Sequence, residues 1–298
     1  AEVGLRAVLE LARWAPSGDN TQPWRFEVRG EREVVVHGFD TRTHCVYDLD
    51  GHASEMSLGA LLETMAIAAT GQGWAMQARR RTGVPSGRMV FEVRFEPDEG
   101  IRPDELIGCI ASRSVQRRAM RTRRLATAEK QALDAAVAPH YRLLWRERMS
   151  ERLDMARLLS AIARVRLSMP EGWRVHREVI EWNARYSTDR MPDQSLGVDA
   201  LTRRLMRFVL GRWERVRFFN RYLAGTAMPR LQMDLIPGLA CGAHFALVAA
   251  REPRTIDDHV AAGRAMQRFW LTATRLGLSL QPAMAPLIFA RYLREGRP

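Results

Sequence analysis

Two stretches of this sequence, one near each end, match each other closely enough to predict that the chain contains two related halves. Residues 59–73 and 263–277 align both terminal glycines, one alanine and one threonine, and a glutamine follows four residues later in each copy, at Gln77 and Gln281. A match of this kind at a fixed separation indicates a repeated structural unit. The alternative is that two alanine-rich helices align through composition alone.

Hydrophobic periodicity predicts helices and strands in mixed succession, which indicates an α+β protein. Apolar residues at helical spacing occupy 2–14, and Pro16 ends that helix. Two strand-like runs, 25–29 and 33–39, flank Gly30 as a hairpin. Further helices are predicted over 54–70, 103–111, 127–138 and 256–276, further strands over 89–95, 141–145 and 244–250, and a mainly helical stretch over 150–222.

The loop that follows the first helix carries an unusual set of polar groups. It combines the Pro16 stop, the small hydroxyl of Ser17, and two carboxamides, Asn20 and Gln22, before Pro23-Trp24. Backbone N–H groups and carboxamides held in a fixed arrangement suit the edge of a planar heterocycle. The alternative is an ordinary connection between a helix and a strand, with Trp24 as a core anchor.

A second polar segment is rich in arginine and lies far downstream. Ser112-Arg-Ser-Val-Gln-Arg-Arg118 is followed by Arg121, Arg123 and Arg124. A dianionic phosphate needs fork-shaped donors and a hydroxyl, and Arg113, Ser114 and Arg117 supply them, with Arg118 as an alternative in the next register. A solvated basic run between helices would have the same composition.

The first loop resembles the flavin-contacting motif of the nitroreductase family, P-S-x-x-N-x-Q-P-W after an alanine-rich helix. The resemblance implies FMN as cofactor, with the backbone of Pro16 and Ser17 at the ring edge and Asn20 at the ring or the ribityl chain. The arginine segment resembles the one with which this family holds the FMN phosphate.

A third segment, 277–285, resembles the family's G-x-x-x-x-P stretch beside the redox-active nitrogen, and it adds Gln281, Pro282 and Met284 to the candidate cofactor-binding residues. Met284 and Ala285 replace the more polar residues that are often found there. An ordinary helix-to-strand turn would also account for this stretch.

The order of these segments differs from that in most of the family, because the arginine segment lies downstream of the loop. This order resembles the Acg-like subgroup, in which two nitroreductase-like halves share one chain and one FMN. We therefore expect a single unit over 1–298: a nitroreductase-like pseudo-dimer with halves 1–110 and 111–298, a central mixed sheet of antiparallel type, and a helical cap inserted at about 150–235.

The resemblance implies an oxidoreductase in which FMN passes hydride from NAD(P)H to a small organic acceptor, with no side chain as a clear acid or base. Two alternatives remain: a protein that stores FMN without catalysis, and an interaction or nucleic-acid-binding module that has lost the flavin. The middle of the chain, with arginines among Trp213, Phe218 and Phe219, suits a nucleic-acid face, an amphipathic helix or the cap; we favour the cap and do not expect nucleic acid as a partner.

Composition adds broader limits. The formal charge of +12 comes almost wholly from arginine, since Lys130 is the single lysine, and this composition fits a phosphorylated cofactor, nucleic acid or codon bias equally well. Cys45, Cys109 and Cys241 are too far apart for a zinc site or a disulfide framework, and the seven histidines show no metal spacing. No apolar run is long enough to cross a bilayer. We expect a cytoplasmic monomer or homodimer with no membrane partner and no metal.

Overall fold

The computed structural model describes residues 2–48 and 50–296. In the first half, helix α1 spans Glu2–Ala12, strands β1 and β2 span Trp24–Gly30 and Glu33–Phe39, helix α2 spans His52–Thr70, and strands β3 and β4 span Trp74–Arg80 and Arg88–Pro97. The four strands form one sheet in the order β1-β2-β4-β3, antiparallel throughout. The predicted hairpin at Gly30 is confirmed, and the α+β class is confirmed with it.

Helix α2 lies in the centre of the largest hydrophobic cluster. It is buried on nearly every side, and Leu58, Leu61, Met65 and Ile67 are fully enclosed. Such a helix needs apolar neighbours all round. The sheet supplies one wall, through residues such as Val36 of β2 and Phe95 of β4, and α1 and a later helix supply the others.

The second half begins with helix α3, Thr127–Val137, and strand β5, Tyr141–Arg146, and resumes after a long insertion with strand β8, His244–Ala249, helix α10, Ile256–Arg275, and helix α11, Ala285–Glu295. Strands β5 and β8 pair antiparallel as a sheet of their own. Between Val115 and Leu280 there is one isolated parallel bridge. The expected single central mixed sheet is therefore replaced, within 2–48 and 50–296, by separate sheets. Pro282 lacks a backbone N–H, so the chain after Leu280 cannot continue as a paired strand.

Helices α2 and α10 cross at two glycines. A Cβ atom at Gly59 would collide with the carbonyl of Val260, and one at Gly263 would collide with the carbonyl of Met56. Beyond the crossing, Gln267 donates a hydrogen bond of 3.0 Å to the hydroxyl of Thr64. Buried Glu63 accepts 2.9 Å and 2.8 Å hydrogen bonds from Arg264 and Arg268 of α10. The two halves are thus joined by close backbone packing and a buried polar network.

The insertion between β5 and β8 is mainly helical, as predicted. It comprises α4 Met149–Arg166, α5 Pro170–Val179, strands β6 Ile180–Glu181 and β7 Met191–Pro192, then α6 Ala200–Leu210, α7 Trp213–Tyr222, α8 Ala227–Arg230 and α9 Ile236–Leu239. Its small core contains Ile180, Leu196, Val198, Leu210 and Val216. A search of the described helices finds none that is long and apolar enough to cross a membrane.

Local secondary structure differs from the sequence expectations in three places, one of which is that the stretch 277–285 leads into helix α11 and not into a strand. The helix expected over 103–111 is only a single 3₁₀ turn, Ile107–Cys109. Strand β3 was not predicted, because its apolar-polar alternation fades into Gln77, Arg79 and Arg80; pairing with β4 nevertheless holds it in the sheet.

Candidate functional site

The loop that follows α1 has a constrained backbone. Asp19, Asn20 and Gln22 have φ angles of 49°, 60° and 45°. These values lie in the left-handed region, which residues other than glycine rarely adopt. The Ser17 hydroxyl stabilises this path by accepting a 2.9 Å hydrogen bond from the backbone N–H of Gln22. Pro16, like Ser17, is half-buried. Three residues with positive φ within four positions indicate a loop shaped for a purpose other than simple connection.

The insertion rests directly on this loop. The Asn20 carboxamide donates a 3.1 Å hydrogen bond to the carbonyl of Arg190, and the Gln22 carboxamide donates to the carbonyl of Thr188. The segment between β6 and β7 therefore engages both carboxamides that the sequence assigned to a cofactor. The position of the insertion as a cap over a flavin stays a prediction.

Arg113 lies beside the same loop. Its Nη2 donates a 3.0 Å hydrogen bond to the carbonyl of Trp14, and its guanidinium carbon lies 4.3 Å from the centroid of a ring of Trp270 in α10. Its Nε is buried and has no hydrogen-bond partner among the described residues. Burial lowers the pKa of Arg113 to about 10. This guanidinium is a desolvated cation with an unused donor.

Arg117 lies four residues after Arg113, and its charge interacts with that of Asp19. Burial lowers the pKa of Arg117, whereas the charge of Asp19 acts in the opposite direction. Burial likewise raises the pKa of Asp19, opposed by Arg117 and Arg166. Neither Arg113 nor Arg117 forms an ion pair within 4.0 Å with any residue of 2–48 or 50–296. Ser114 is exposed.

The third predicted segment contacts the second. The N–H of Gln116 donates a 3.1 Å hydrogen bond to the carbonyl of Leu280, next to the bridge between Val115 and Leu280. Gln281 is half-buried, Pro282 is exposed, and Met284 immediately precedes α11. The structure thus brings the three segments together as a chain of contacts, with the arginine segment in the middle.

Two cavities border this region. The larger, of about 460 Å³, lies beside Arg118 and is also lined by Asp199, Arg203 and Gln232. The smaller, of about 30 Å³, lies behind the first loop and is lined by Asp19, Cys45 and Tyr47 among others. None of the ten predicted residues lines either cavity. The nearest part of the insertion to the first loop is the stretch 188–190, whose carbonyls accept hydrogen bonds from Asn20 and Gln22.

Sequence reasoning missed a polar pair beside the loop. The Tyr47 hydroxyl and His176 Nε2 share a hydrogen bond of 3.1 Å, and the two rings stack with centroids 5.8 Å apart. Burial lowers the pKa of His176 to about 3 and raises that of Tyr47, so both are neutral at physiological pH. Nothing local in the sequence links positions so far apart.

Cys45 lines the same small cavity as Tyr47, but its thiol is unreactive. Burial and the nearby charge of Asp19 raise the pKa of Cys45 to about 11. The thiol is therefore protonated at neutral pH and is a poor nucleophile. The absence of a clear catalytic side chain, expected from the sequence, stays a prediction.

His52, Glu55 and His259 come together at the start of α2 and α10, although the histidines lack metal spacing in the sequence. Glu55 and His259 lie outside the matched stretches 59–73 and 263–277, although the same offset relates them, so the sequence match did not single them out. Arg291 Nη1 lies 2.9 Å from His52 Nδ1, and since a guanidinium only donates, Nδ1 must be the acceptor. A metal-ligating histidine instead donates from its second nitrogen. We therefore assign no metal here.

Comparison with known proteins adds no family to this geometry: no family model matches the chain, and no curated protein matches it.

Proposed function

We propose that this chain binds one FMN in a composite site made by the loop at 16–24, the arginine segment at 113–117 and the turn at 277–285, and that it acts as a nitroreductase-type oxidoreductase. The observation that carries the proposal is the convergence of three segments far apart in the sequence. Arg113 reaches the carbonyl of Trp14, and Gln116 reaches that of Leu280. These are the same three segments that resemble the motifs of the nitroreductase family.

The contacts between α2 and α10 support the proposed pseudo-dimer of nitroreductase-like halves. Gly59 packs against Val260, and Gly263 packs against Met56. The internal match aligns Gly59 with Gly263, and the same offset relates Met56 to Val260, so the two contacts are equivalent. The element order α1-β1-β2-α2 has a counterpart in α3-β5-β8-α10, which comes after β3 and β4 and has the insertion between β5 and β8. Helix α3 packs on α10 as α1 packs on α2. Exchange of contacts between equivalent positions is what a two-fold relation requires.

The arginines fit a phosphate group. Two guanidiniums that are desolvated and lack a carboxylate at ion-pair distance are costly unless an anion offsets their charge. The Nε of Arg113 is a buried donor without a described acceptor. A phosphate oxygen would accept a hydrogen bond from this Nε. The negative charge of the phosphate would also raise the pKa of both guanidiniums back toward the usual range of arginine.

FMN, when bound, would supply the hydride chemistry, taking hydride from NAD(P)H and passing it to a small organic acceptor. The protein's own residues would bind and orient it: Arg113 and Arg117 at the phosphate, the strained loop at the ring edge, and the backbone around Gln281, Pro282 and Met284 on the other side. Under this proposal the protein works in the cytoplasm, as a monomer or homodimer.

The absorbance spectrum of the purified protein tests the proposal most directly. A flavin spectrum, with FMN as the released species, is the expected result. Arg113→Ala and Arg117→Ala should each weaken FMN retention about ten-fold or more, because hydrogen bonds to charged groups contribute about 1.5–3 kcal/mol. Asn20→Ala should weaken it by a smaller factor, because a neutral hydrogen bond contributes about 0.5–1.5 kcal/mol. Arg118→Ala tests the other register of the arginine segment, and Arg121→Ala, at an exposed arginine outside both registers, is the matched control.

Thermal unfolding of each variant without FMN separates loss of the site from loss of the fold. Unchanged retention in the Asn20, Arg113 and Arg117 variants would refute the site. A larger loss in Arg118→Ala than in Arg117→Ala would move the phosphate toward the 460 Å³ cavity beside Arg118.

The insertion favours a second candidate, a protein that stores FMN without catalysis. Asn20 and Gln22 both bond to its backbone, so the loop is covered by residues 188–190. A cover that stays closed after FMN binds would keep nicotinamide from the ring. Steady-state NADPH oxidation with a quinone or nitroaromatic acceptor decides the matter: measurable turnover excludes storage, and a yellow protein without turnover supports it.

A third candidate is an interaction or nucleic-acid module on the same fold that has lost the flavin. The specific observation in its favour is that Asn20 and Gln22, the two carboxamides expected at the flavin, already bond to the backbone of the insertion. A colourless protein that cannot be reconstituted with FMN would support it, and a yellow one would eliminate it.

A further inference from the structure

Helices α6 and α7 of the insertion carry an apolar surface that nothing in the described chain covers. Leu201, Leu205 and Phe208 lie on one face of α6, at spacings of four and three residues, and Leu201 is 76% exposed. On α7, Phe218 and Tyr222 are 53% and 63% exposed. The opposite sides of the two helices, which include Leu210 and Val216, bury themselves in the core of the insertion.

Ring contacts connect the aromatic residues of the two helices into one patch, and Leu205 and Leu201 continue the face of α6 from Phe208. Phe208 meets Phe219 with ring centroids 6.4 Å apart, Phe219 meets Phe218 at 6.1 Å, and Phe218 meets Tyr222 at 5.2 Å. The patch therefore crosses from α6 to α7 without a break. A continuous exposed patch of large apolar side chains marks a contact site, whereas single exposed apolar residues do not.

The same two helices are strongly basic. Residues 200–223 contain seven arginines and one acidic residue, Glu214. Only Arg203 forms an ion pair with a described carboxylate, that of Asp193 at 3.3 Å. Arg204, Arg207, Arg212, Arg217 and Arg221 are exposed, and Arg215 lies over the ring of Phe208 at 4.1 Å. The apolar patch is thus bordered by unpaired positive charge.

We propose that this face, defined as the α6–α7 face by Leu201, Leu205, Phe208, Phe218 and Tyr222 with the surrounding arginines, docks on the surface of an anionic lipid bilayer. Interfacial helices of this kind place apolar and aromatic side chains at the acyl boundary while arginines reach the acidic headgroups. An anionic bilayer satisfies both halves of the face at once. A surface contact needs no spanning helix, so the proposal is compatible with the helices of the described residues, and it departs from the sequence expectation of no membrane partner.

Other occupants fit less well. A second copy on a two-fold axis would bring seven arginines against seven, which repels. A nucleic acid would pair with the arginines but would leave Leu201 and Leu205 with no apolar partner, and the aromatic rings already pack against one another instead of standing free for bases.

Flotation of the purified protein with vesicles tests the proposal. We expect binding to vesicles of phosphatidylglycerol and phosphatidylcholine in equal parts, and little binding to phosphatidylcholine alone. Leu205→Ser with Phe218→Ser should weaken binding about ten-fold, through lost apolar burial. Arg204→Gln with Arg207→Gln should weaken it about 25-fold, since each arginine near an anionic surface contributes a factor of about five.

Two matched controls separate the face from bulk charge and bulk apolarity. Arg251→Gln with Arg254→Gln removes the same charge from another exposed segment, and Leu144→Ser with Leu158→Ser removes side chains that are 43% and 45% exposed elsewhere. Both control pairs should bind as the parent does.

Several results would overturn the proposal. They are equal losses in the control pairs, equal binding to both kinds of vesicle, binding to single-stranded RNA in the absence of vesicle binding, and self-association that Leu205→Ser with Phe218→Ser abolishes while vesicles are not bound.

Discussion

Tyr47 and His176 join the first half to the insertion through a single hydrogen bond, and the burial of His176 makes this contact sensitive to acid. Burial lowers the pKa of His176 to about 3, whereas an unfolded histidine has a pKa of about 6.5. A group whose pKa is depressed by folding adds stability that is complete above its unfolded pKa. That stability is lost as the pH falls toward the folded pKa.

We therefore predict that the protein loses about 2 kcal/mol of unfolding free energy through His176 between neutral pH and about pH 5. His176→Phe removes this loss, although it costs about 1 kcal/mol at every pH because the Tyr47 hydroxyl loses its partner. Urea unfolding at the two pH values measures both effects. Equal pH dependence in the parent and the variant would contradict the prediction. Exposed His44→Phe serves as the control.

At the scale of elements, the crossing of α2 and α10 depends on two glycines. Gly59→Ala would add a Cβ that collides with the carbonyl of Val260. Alanine improves helix propensity by about 1 kcal/mol, but overpacking costs about 1–3 kcal/mol and both colliding atoms belong to packed backbone. We expect overpacking to win and the free energy of unfolding to fall by about 2 kcal/mol, measured by chemical denaturation.

The crossing also predicts how its variants combine. Gly263→Ala should cost about as much as Gly59→Ala, and the double variant should cost less than the sum, because helices already forced apart leave room for the second methyl. Gly108→Ala, where a Cβ meets nothing within 4 Å, is the control and should have little effect. A neutral Gly59→Ala would show that the crossing is looser than the structure indicates.

The sequence predicted elements well where the signal was local, and poorly where it was not. The hairpin around Gly30 and the helix over 256–276 follow from alternation and helical spacing, and both are confirmed. Strand β3 depends on pairing with β4, and the bridge of Val115 to Leu280 joins residues from different segments of the chain. Neither has a local pattern.

The candidate site shows the same contrast between local and non-local signals. The loop around Asn20 and the segment around Arg113 were recognisable from their residues, but the carbonyls that they contact belong to Arg190 and Trp14. Such contacts depend on the path of the backbone and carry no residue signature. The polar pair of Tyr47 and His176 was missed for the same reason.

At the scale of the whole molecule, the hydrophobic interior is divided. The largest cluster surrounds α2, a second one connects α3, β5 and α10, and a small third one lies inside the insertion. The insertion contacts the first half through polar groups, including Gln22 with the carbonyl of Thr188 and Tyr47 with His176. Regions with little buried apolar area open at lower free energy than the main core.

This division predicts that the insertion opens as a unit while the α2–α10 core stays folded. Hydrogen exchange measured by mass spectrometry should show faster exchange in α6 and α7 than in the centre of α2. Peptides from 188–197 should exchange at a rate similar to that of α6. Addition of FMN should slow exchange at 15–24 and 113–117 if the composite site binds it. Slower exchange at 188–197 as well would indicate a cover that closes over the flavin, whereas faster exchange there would indicate that the flavin displaces it. Uniform exchange across all three clusters would contradict the division, because it would mean that the insertion unfolds only with the core.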